Sequence, residues 1–192
     1  LGRMVTRLFK YHPEARSLLG MMLLTSARAK GRINQTGHFV PLQLQDRSCW
    51  DQQRIREGLA LIDGVYLARN RPGPYQLQAA ISAIHSKAQT ADETDWDQIV
   101  ALYEKLEEID SSPVTQINRA SALANVDRLE EAKEILERIE AQGKLGAYQA
   151  FHLAKAHVLR KMGDIAGAKK AQQMAIELSN SEIEKNFLKQ QL

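Results

Sequence analysis

The chain has 192 residues, of which 44% are hydrophobic and 26% are charged. This composition is typical of a globular protein that is long enough to form a core without metal or disulfide support. The longest apolar run, Leu18 to Leu24, is much shorter than the ~20 residues that cross a bilayer, and the single cysteine, Cys49, excludes an internal disulfide.

The start of the chain shows no signal-peptide pattern, because its basic residues precede no apolar run with a small-residue cleavage site. With one cysteine, a reducing compartment is the natural reading, and we expect a cytoplasmic protein. Residue 1 is Leu rather than Met, from which we expect a chain that is trimmed or cut from a longer protein.

Charge divides the chain into a basic half and an acidic half. Residues 1–90 hold 13 Lys/Arg and 5 Asp/Glu, whereas residues 91–192 hold 13 Lys/Arg and 18 Asp/Glu. A basic half could bind nucleic acid or an acidic protein surface, or could simply be well solvated. Aromatic residues make up only 6% of the chain and do not alternate with basic ones, as a nucleic-acid stacking platform would require.

Apolar residues recur at helical spacing from the start of the chain. Pro13 suits the first turn of a helix that we predict over residues 13–30. The stretch near residues 32–44 is the only one with strand-like character, because apolar residues flank a turn cluster that ends at Gly37. We predict a short hairpin or an extended excursion there.

The next helices are bounded by caps and prolines. Ser48 and Asp51 have the spacing of a capping box, which places Ser48 at the N-cap of a helix. That helix must end before Pro72 and Pro74, which cannot continue it. Further helices are predicted over residues 75–89, 94–109, 114–125, 128–141, 147–162, 165–179 and 181–191.

The second half contains a degenerate repeat of helix pairs. Ala132 and Ala168 lie 36 residues apart in matching contexts, and Ile99 lies 33 residues before Ala132. Small residues at such positions let paired helices approach, and stacked pairs bury a continuous core. We therefore predict an all-α protein of stacked antiparallel helix pairs, a tetratricopeptide-like solenoid. A basic segment over residues 1–92 would precede repeats over residues 93–192, within one continuous domain.

Motifs that carry chemistry are missing. His152 and His157 are five residues apart and do not share a helix face, and the sequence contains no nucleophile elbow, phosphate-binding glycine loop or metalloprotease motif. We expect no enzymatic activity, no cofactor, no metal site and no small-molecule substrate.

Several segments together resemble one family. The most specific are Asp46-Arg47-Ser48-Cys49-Trp50 and Arg71-Pro72-Gly73-Pro74-Tyr75-Gln76. Others include Pro13-Glu14-Ala15, the run from Leu18 to Leu24, Ile55 to Leu61, Asp95 to Tyr103 and Asn118-Arg119-Ala120. In this order they resemble the C-terminal tetratricopeptide-like extension of a group of extracytoplasmic-function RNA polymerase sigma factors.

The resemblance implies a regulatory tail of a bacterial transcription factor. Its partners would be the sigma domains of the same protein and the RNA polymerase core, with promoter DNA contacted only through domains that this chain lacks. It implies no membrane partner. The alternative is a free-standing helical-repeat adaptor that binds an unrelated protein or peptide.

Two sets of residues are candidates for these roles. Guanidinium groups pair well with carboxylates, and the predicted protein interface is Arg28, Arg32, Arg47, Arg54, Arg56, Arg71 and Tyr75. The predicted structural anchors are Asp46, Ser48, Trp50, Trp96, Pro72 and Pro74. A second interpretation remains open for two of them: Asp46 caps a turn and Arg47 pairs within the fold, with no partner involved.

Overall fold

The computed structural model describes residues 2–9, 11–34, 37–66, 72–143 and 145–192. Within these ranges the protein is all-helical and forms no strand, which confirms the predicted fold class. Its α-helices are α1 Gly2–Leu8, α2 Pro13–Ala27, α3 Gln52–Tyr66, α4 Pro74–Lys87, α5 Trp96–Ile109, α6 Pro113–Asn125, α7 Leu129–Ala141, α8 Gln149–Lys161, α9 Ile165–Leu178 and α10 Glu182–Gln190.

The helices form two compact units. The first comprises Leu1–Asn34 and Val40–Asp95, and the second comprises Gln35–Phe39 and Trp96–Leu192. Residues 37–39 therefore belong with the later helices although they lie within the first half of the sequence.

Helix α2 is the centre of the first unit and packs against α1, α3 and α4. Two glycines set the α2–α3 crossing. A Cβ on Gly20 would lie 2.8 Å from Ile62 Cγ1, and a Cβ on Gly58 would lie 2.9 Å from Leu24 Cγ. The missing side chains thus allow the two helices to approach closely. The buried core around this crossing comprises Leu24, Ala27, Trp50, Ile55, Ile62, Ala79 and Ala83.

The predicted capping box at Ser48 is wrong. Ser48 lies in a short 3-10 turn, Arg47–Cys49, and its backbone N–H donates to Asp46 Oδ1 at 2.9 Å. Helix α3 begins at Gln52, and Asp51 caps it by accepting the Arg54 N–H at 3.0 Å. Because this turn precedes the helix, the capping residue is Asp51, three residues after the predicted Ser48.

The described part of the stretch near residues 32–44 forms no strand, and Ile33 and Phe39 each take part in an isolated β-bridge. The Val40 N–H donates to the Arg32 carbonyl at 2.8 Å, and a 3-10 turn follows at Leu42–Leu44. In the second unit, the Phe39 ring packs edge-on against Phe187 of α10, with ring centroids 5.8 Å apart. The predicted turn residues Gln35 and Thr36 lie outside the described residues.

The second unit shows the predicted repeat in its backbone. Asp127 and Gly163, 36 residues apart, both adopt left-handed conformations, with φ of 57° and 83°. The N–H of the residue after each donates to the carbonyl of Leu123 or Leu159, at 3.1 and 2.9 Å. The same turn therefore joins α6 to α7 and α8 to α9. Neighbouring helices pack from α5 through α10.

Small residues occupy the helix crossings of the repeat, as predicted. Ala120 and Ala156, like Ala132 and Ala168, are buried at equivalent positions. Ile99 is fully buried at the earlier position of this register. Helix α6 also packs against α8, so the first helices of successive pairs are neighbours.

Candidate protein interface

Arg47 lies within the first unit and holds its elements together. Its Nη1 donates to the carbonyls of His85 and Ala88 at 3.0 and 2.7 Å, and its guanidinium carbon lies 5.1 Å from the centre of the Trp50 ring. These carbonyls belong to the end of α4, where backbone acceptors lack helical partners. The structure therefore places Arg47 in the internal role that the sequence left open, with Asp46 capping the turn beside it.

Arg28 is half-buried at the C-cap of α2. Its Nε is buried and has no hydrogen-bond partner. Burial lowers the pKa of its guanidinium, and the charges of Arg32 and Arg47 lower it further. Within the described ranges, no carboxylate lies within ion-pair distance of Arg28, Arg32 or Arg47. The Asp51 N–H donates to the Ala27 carbonyl at 3.0 Å, which brings the turn that carries Arg47 to the end of α2, next to Arg28 and Arg32. Three predicted interface arginines are therefore neighbours, and none of them has an ion-pair partner in the described part of the chain.

His85 belongs to the same cluster. Burial lowers its pKa to about 4, and the positive charges of Arg28 and Arg47 act in the same direction. The imidazole is therefore neutral at physiological pH. Glu93 is the acidic residue that acts on Arg47, and its charge favours the guanidinium, but it is not an ion-pair partner. We call Arg28, Arg32, Arg47 and His85 the arginine cluster.

The other predicted interface residues are scattered. Arg54 pairs with Asp51 at the start of α3, with Nε 3.2 Å from Oδ2, and Arg56 is exposed on the same helix. Tyr75 is 41% exposed in the first turn of α4. Arg71 lies outside the described residues.

The Pro-Gly-Pro-Tyr-Gln motif forms a helix start with a distant cap. Glu14 of α2 accepts the N–H groups of Tyr75 and Gln76 at 2.9 and 3.0 Å, and a Cβ on Gly73 would lie 2.5 Å from its carboxyl carbon. Pro74 occupies the first turn of α4, and Pro72 is exposed ahead of it. Sequence reasoning missed this contact, because no local signal links residues 14 and 75.

The two tryptophans differ in burial. Trp50 is 3% exposed in the core of the first unit, whereas Trp96 is half-buried at the first residue of α5. Both side chains can stabilise the packing of their units. Trp50 buries the larger fraction of its surface.

Sequence reasoning also missed a charge network in the second unit. Arg119 Nη1 lies 2.6 Å from Glu107, and its Nη2 pairs with Glu131. Glu104 joins the network through Arg128 at 3.2 Å. These groups link α5, α6 and α7, so the Asn118-Arg119-Ala120 motif is built into the packing of the helices.

Among the described residues, no group of histidine, cysteine and carboxylate side chains is arranged to hold a metal. The His152 ring is instead hydrogen-bonded to the Gly146 carbonyl at 2.9 Å. No described helix combines the length and apolar character that a membrane crossing requires.

Comparison with known proteins identifies two similarities. Residues 1–65 match the model of a family of unknown function (DUF6596). An uncharacterised protein of Rhizobium meliloti (strain 1021) is 36% identical over the whole chain, which covers 45% of that protein. The chain thus spans less than half the length of this curated relative. No solved structure matches.

Proposed function

We propose that this chain is a regulatory protein-interaction tail of an extracytoplasmic-function sigma factor. It would act in transcription initiation in the bacterial cytoplasm by docking on the sigma domains of its own protein or on RNA polymerase. The observation that carries the proposal is the ordered series of motif segments, above all Asp46 to Trp50 and Pro72 to Gln76.

The structure supports the proposal by giving these motifs a shared role. Arg47 ties the turn before α3 to the end of α4, and Glu14 ties α2 to the start of α4. The motifs therefore specify one arrangement of α2, α3 and α4, as expected for a family-specific scaffold. The length of the Rhizobium relative, more than twice this chain, leaves room for the further domains that such a protein requires.

Docking can be tested directly. The chain would be mixed with the sigma domains encoded upstream in its reading frame, and separately with polymerase core, at low and high salt. We expect complexes that weaken as salt rises, because exposed charge pairs are screened within ~8–10 Å at physiological ionic strength. No complex with either partner at low salt would refute the proposal.

A matched pair of variants locates the surface. Arg32, Arg54 and Arg56 are exposed in the basic unit, and changing all three to Glu should weaken docking without unfolding the chain. Lys133→Glu, exposed on α7 of the second unit, is the control. If the control alone weakens the complex, the docking surface lies among the repeats.

The alternative is a free-standing adaptor, and one feature favours it. A groove between α7 and α8 is floored by Leu136, Val158 and Leu159, and its rim carries Lys133, Glu137, Glu140 and Lys155. Such a depression, with an apolar floor and a charged rim, would take one apolar side chain of a bound peptide. The reading frame upstream of Leu1 decides between the two functions, because two sigma-type domains there support the tail and an immediate start codon supports the adaptor.

A further inference from the structure

Arg28 and Arg32 of the arginine cluster have no ion-pair partner among the described residues. Arg28 is half-buried, its Nε has no hydrogen-bond partner, and no carboxylate pairs with it in the described part of the chain. A cation that is partly removed from water and has no ion-pair partner destabilises the fold. A ligand that supplies the missing negative charge would relieve this cost.

The surroundings of Arg28 suit an anionic ligand. Arg47 is held in place by the carbonyls of His85 and Ala88, so its charge does not depend on a mobile side chain. Arg32 is exposed beside the cluster, and its Nη2 makes one long contact, 3.4 Å, to the Thr25 carbonyl. The cluster thus combines a fixed cation, a half-buried cation and a cation that is accessible to solvent.

The guanidinium groups of the arginine cluster match a carboxylate better than a neutral ligand group. Guanidinium groups present paired N–H donors that match the two oxygens of a carboxylate. An incoming carboxylate would neutralise Arg28 and exchange its solvation for charge-assisted hydrogen bonds.

We propose that the arginine cluster binds an Asp or Glu side chain from an acidic segment of a protein partner. The proposal rests on the proposed function for the partner's identity, the sigma domains or polymerase. The anion site itself rests only on the geometry of Arg28, Arg32 and Arg47. Docking would then pair Arg28, which has no ion-pair partner in the described ranges, with a carboxylate.

The test measures the binding of a short oligoglutamate peptide to the whole chain by titration calorimetry, at low and at high salt. We expect binding that weakens with salt, no binding of an oligoglutamine peptide, and a loss of about tenfold in affinity or more for Arg28→Met. Arg7→Met, which removes an exposed arginine of α1 outside the cluster, is the matched control and should bind as the wild type does.

A second variant and a stability measurement keep the test decisive. Arg32→Met changes an exposed side chain and should also weaken binding. Arg28→Met should unfold at the same urea concentration as the wild type or a higher one, because it removes a charge that is buried without a partner. The proposal is overturned if Arg28→Met or Arg32→Met binds oligoglutamate as tightly as the wild type, or if the wild type fails to bind it.

Each alternative ligand of the arginine cluster predicts a different experimental result. Inorganic phosphate binding as tightly as oligoglutamate would identify a free-anion site and overturn the assignment to a protein partner. A concentration-dependent dimer that Arg28→Met abolishes would identify a second copy of the chain. If the sigma domains dock equally on wild type and Arg28→Met, the inference fails while the proposed function stands. If oligoglutamate binds through Arg28 but neither the sigma domains nor polymerase docks, the site stands and the function fails.

Discussion

Gly73 makes room for a carboxylate that arrives from another helix. Its backbone is extended, with φ of −83°, so the glycine is not required for a strained turn. It is required because Glu14 lies where a side chain would be, and Glu14 accepts two of the first N–H groups of α4. A carboxylate at this end of a helix also stabilises the helix dipole.

We predict that Gly73→Ala displaces Glu14 and removes this cap. The expected loss is about 1–2 kcal/mol of unfolding free energy, as for other helix caps. Urea unfolding monitored by circular dichroism measures it. The double variant Gly73→Ala/Glu14→Ala should cost much less than the sum of the single variants, because both remove the same contact. Additive costs would contradict this account of Gly73.

His85 makes stability depend on pH. Its pKa falls from 6.5 in the unfolded chain to about 4 in the fold, so between these values the unfolded state binds the proton and the native state does not. Stability therefore decreases as pH falls from 6.5 to about 4, and the contribution is constant below that. At ~1.4 kcal/mol per pKa unit, the loss is about 3 kcal/mol.

We predict that His85→Gln flattens this pH dependence. When unfolding free energies are measured from pH 7 to pH 4, the wild type should lose about 3 kcal/mol more than the variant. His157, whose pKa burial also lowers, contributes a slope of the same sign to both proteins, so the difference between them isolates His85. Gln53→Ala, at an exposed position and without a titratable group, is the control and should leave the slope unchanged. Parallel curves for wild type and His85→Gln would refute the prediction.

At the scale of elements, α2 and α3 can cross closely because glycines occupy the crossing point. Gly20 and Gly58 face each other across it, and a Cβ on either would lie 3.1 Å from the backbone oxygen of the other. Backbone cannot yield as a flexible side chain can, so a larger residue must separate the helices.

We predict that Gly20→Ala and Gly58→Ala each destabilise the protein by about 1–3 kcal/mol, the usual cost of overpacking a core. The direction is diagnostic, because the same change at a solvent-facing helix position would raise stability by ~1 kcal/mol. Thermal and urea unfolding measure both. Gln53→Ala, exposed on α3, is the control and should be neutral. A stabilising Gly20→Ala would mean that the helices are not in close contact.

The repeat of the second unit is also a property of elements. The turns at Asp127 and Gly163 share a conformation and a hydrogen bond although their residue types differ. Glycine adopts a positive φ at no steric cost, and aspartate tolerates it better than most residues. The spacing of small and large residues predicted this repeat, but the left-handed turn that repeats with it is recognisable only in the backbone.

At the scale of the whole molecule, helix should account for almost all of the regular structure in solution. We predict a far-ultraviolet dichroism spectrum dominated by helix. An average globular protein contains about 20–25% strand, and that amount of strand in this chain would contradict the architecture. The measurement also serves as the folding check for every variant above.

The sequence by itself determined the fold class and most helix boundaries. Helical spacing of apolar residues and the placement of prolines are local signals, and they located α2, α4 and α6 to within about three residues. The 36-residue spacing of Ala132 and Ala168 was likewise readable, because a repeat must bury its faces in the same way each time.

Only the tertiary structure decided which residues meet. Arg47 was indistinguishable in sequence from Arg54, since both are arginines near a helix start, yet one joins three segments and the other pairs locally at the surface. Glu14 and Gly73 are far apart in the chain, and neither predicts the other. The arginine cluster depends on the same long-range packing, because partial burial and the lack of an ion-pair partner among the described residues are properties of the folded unit and not of any segment.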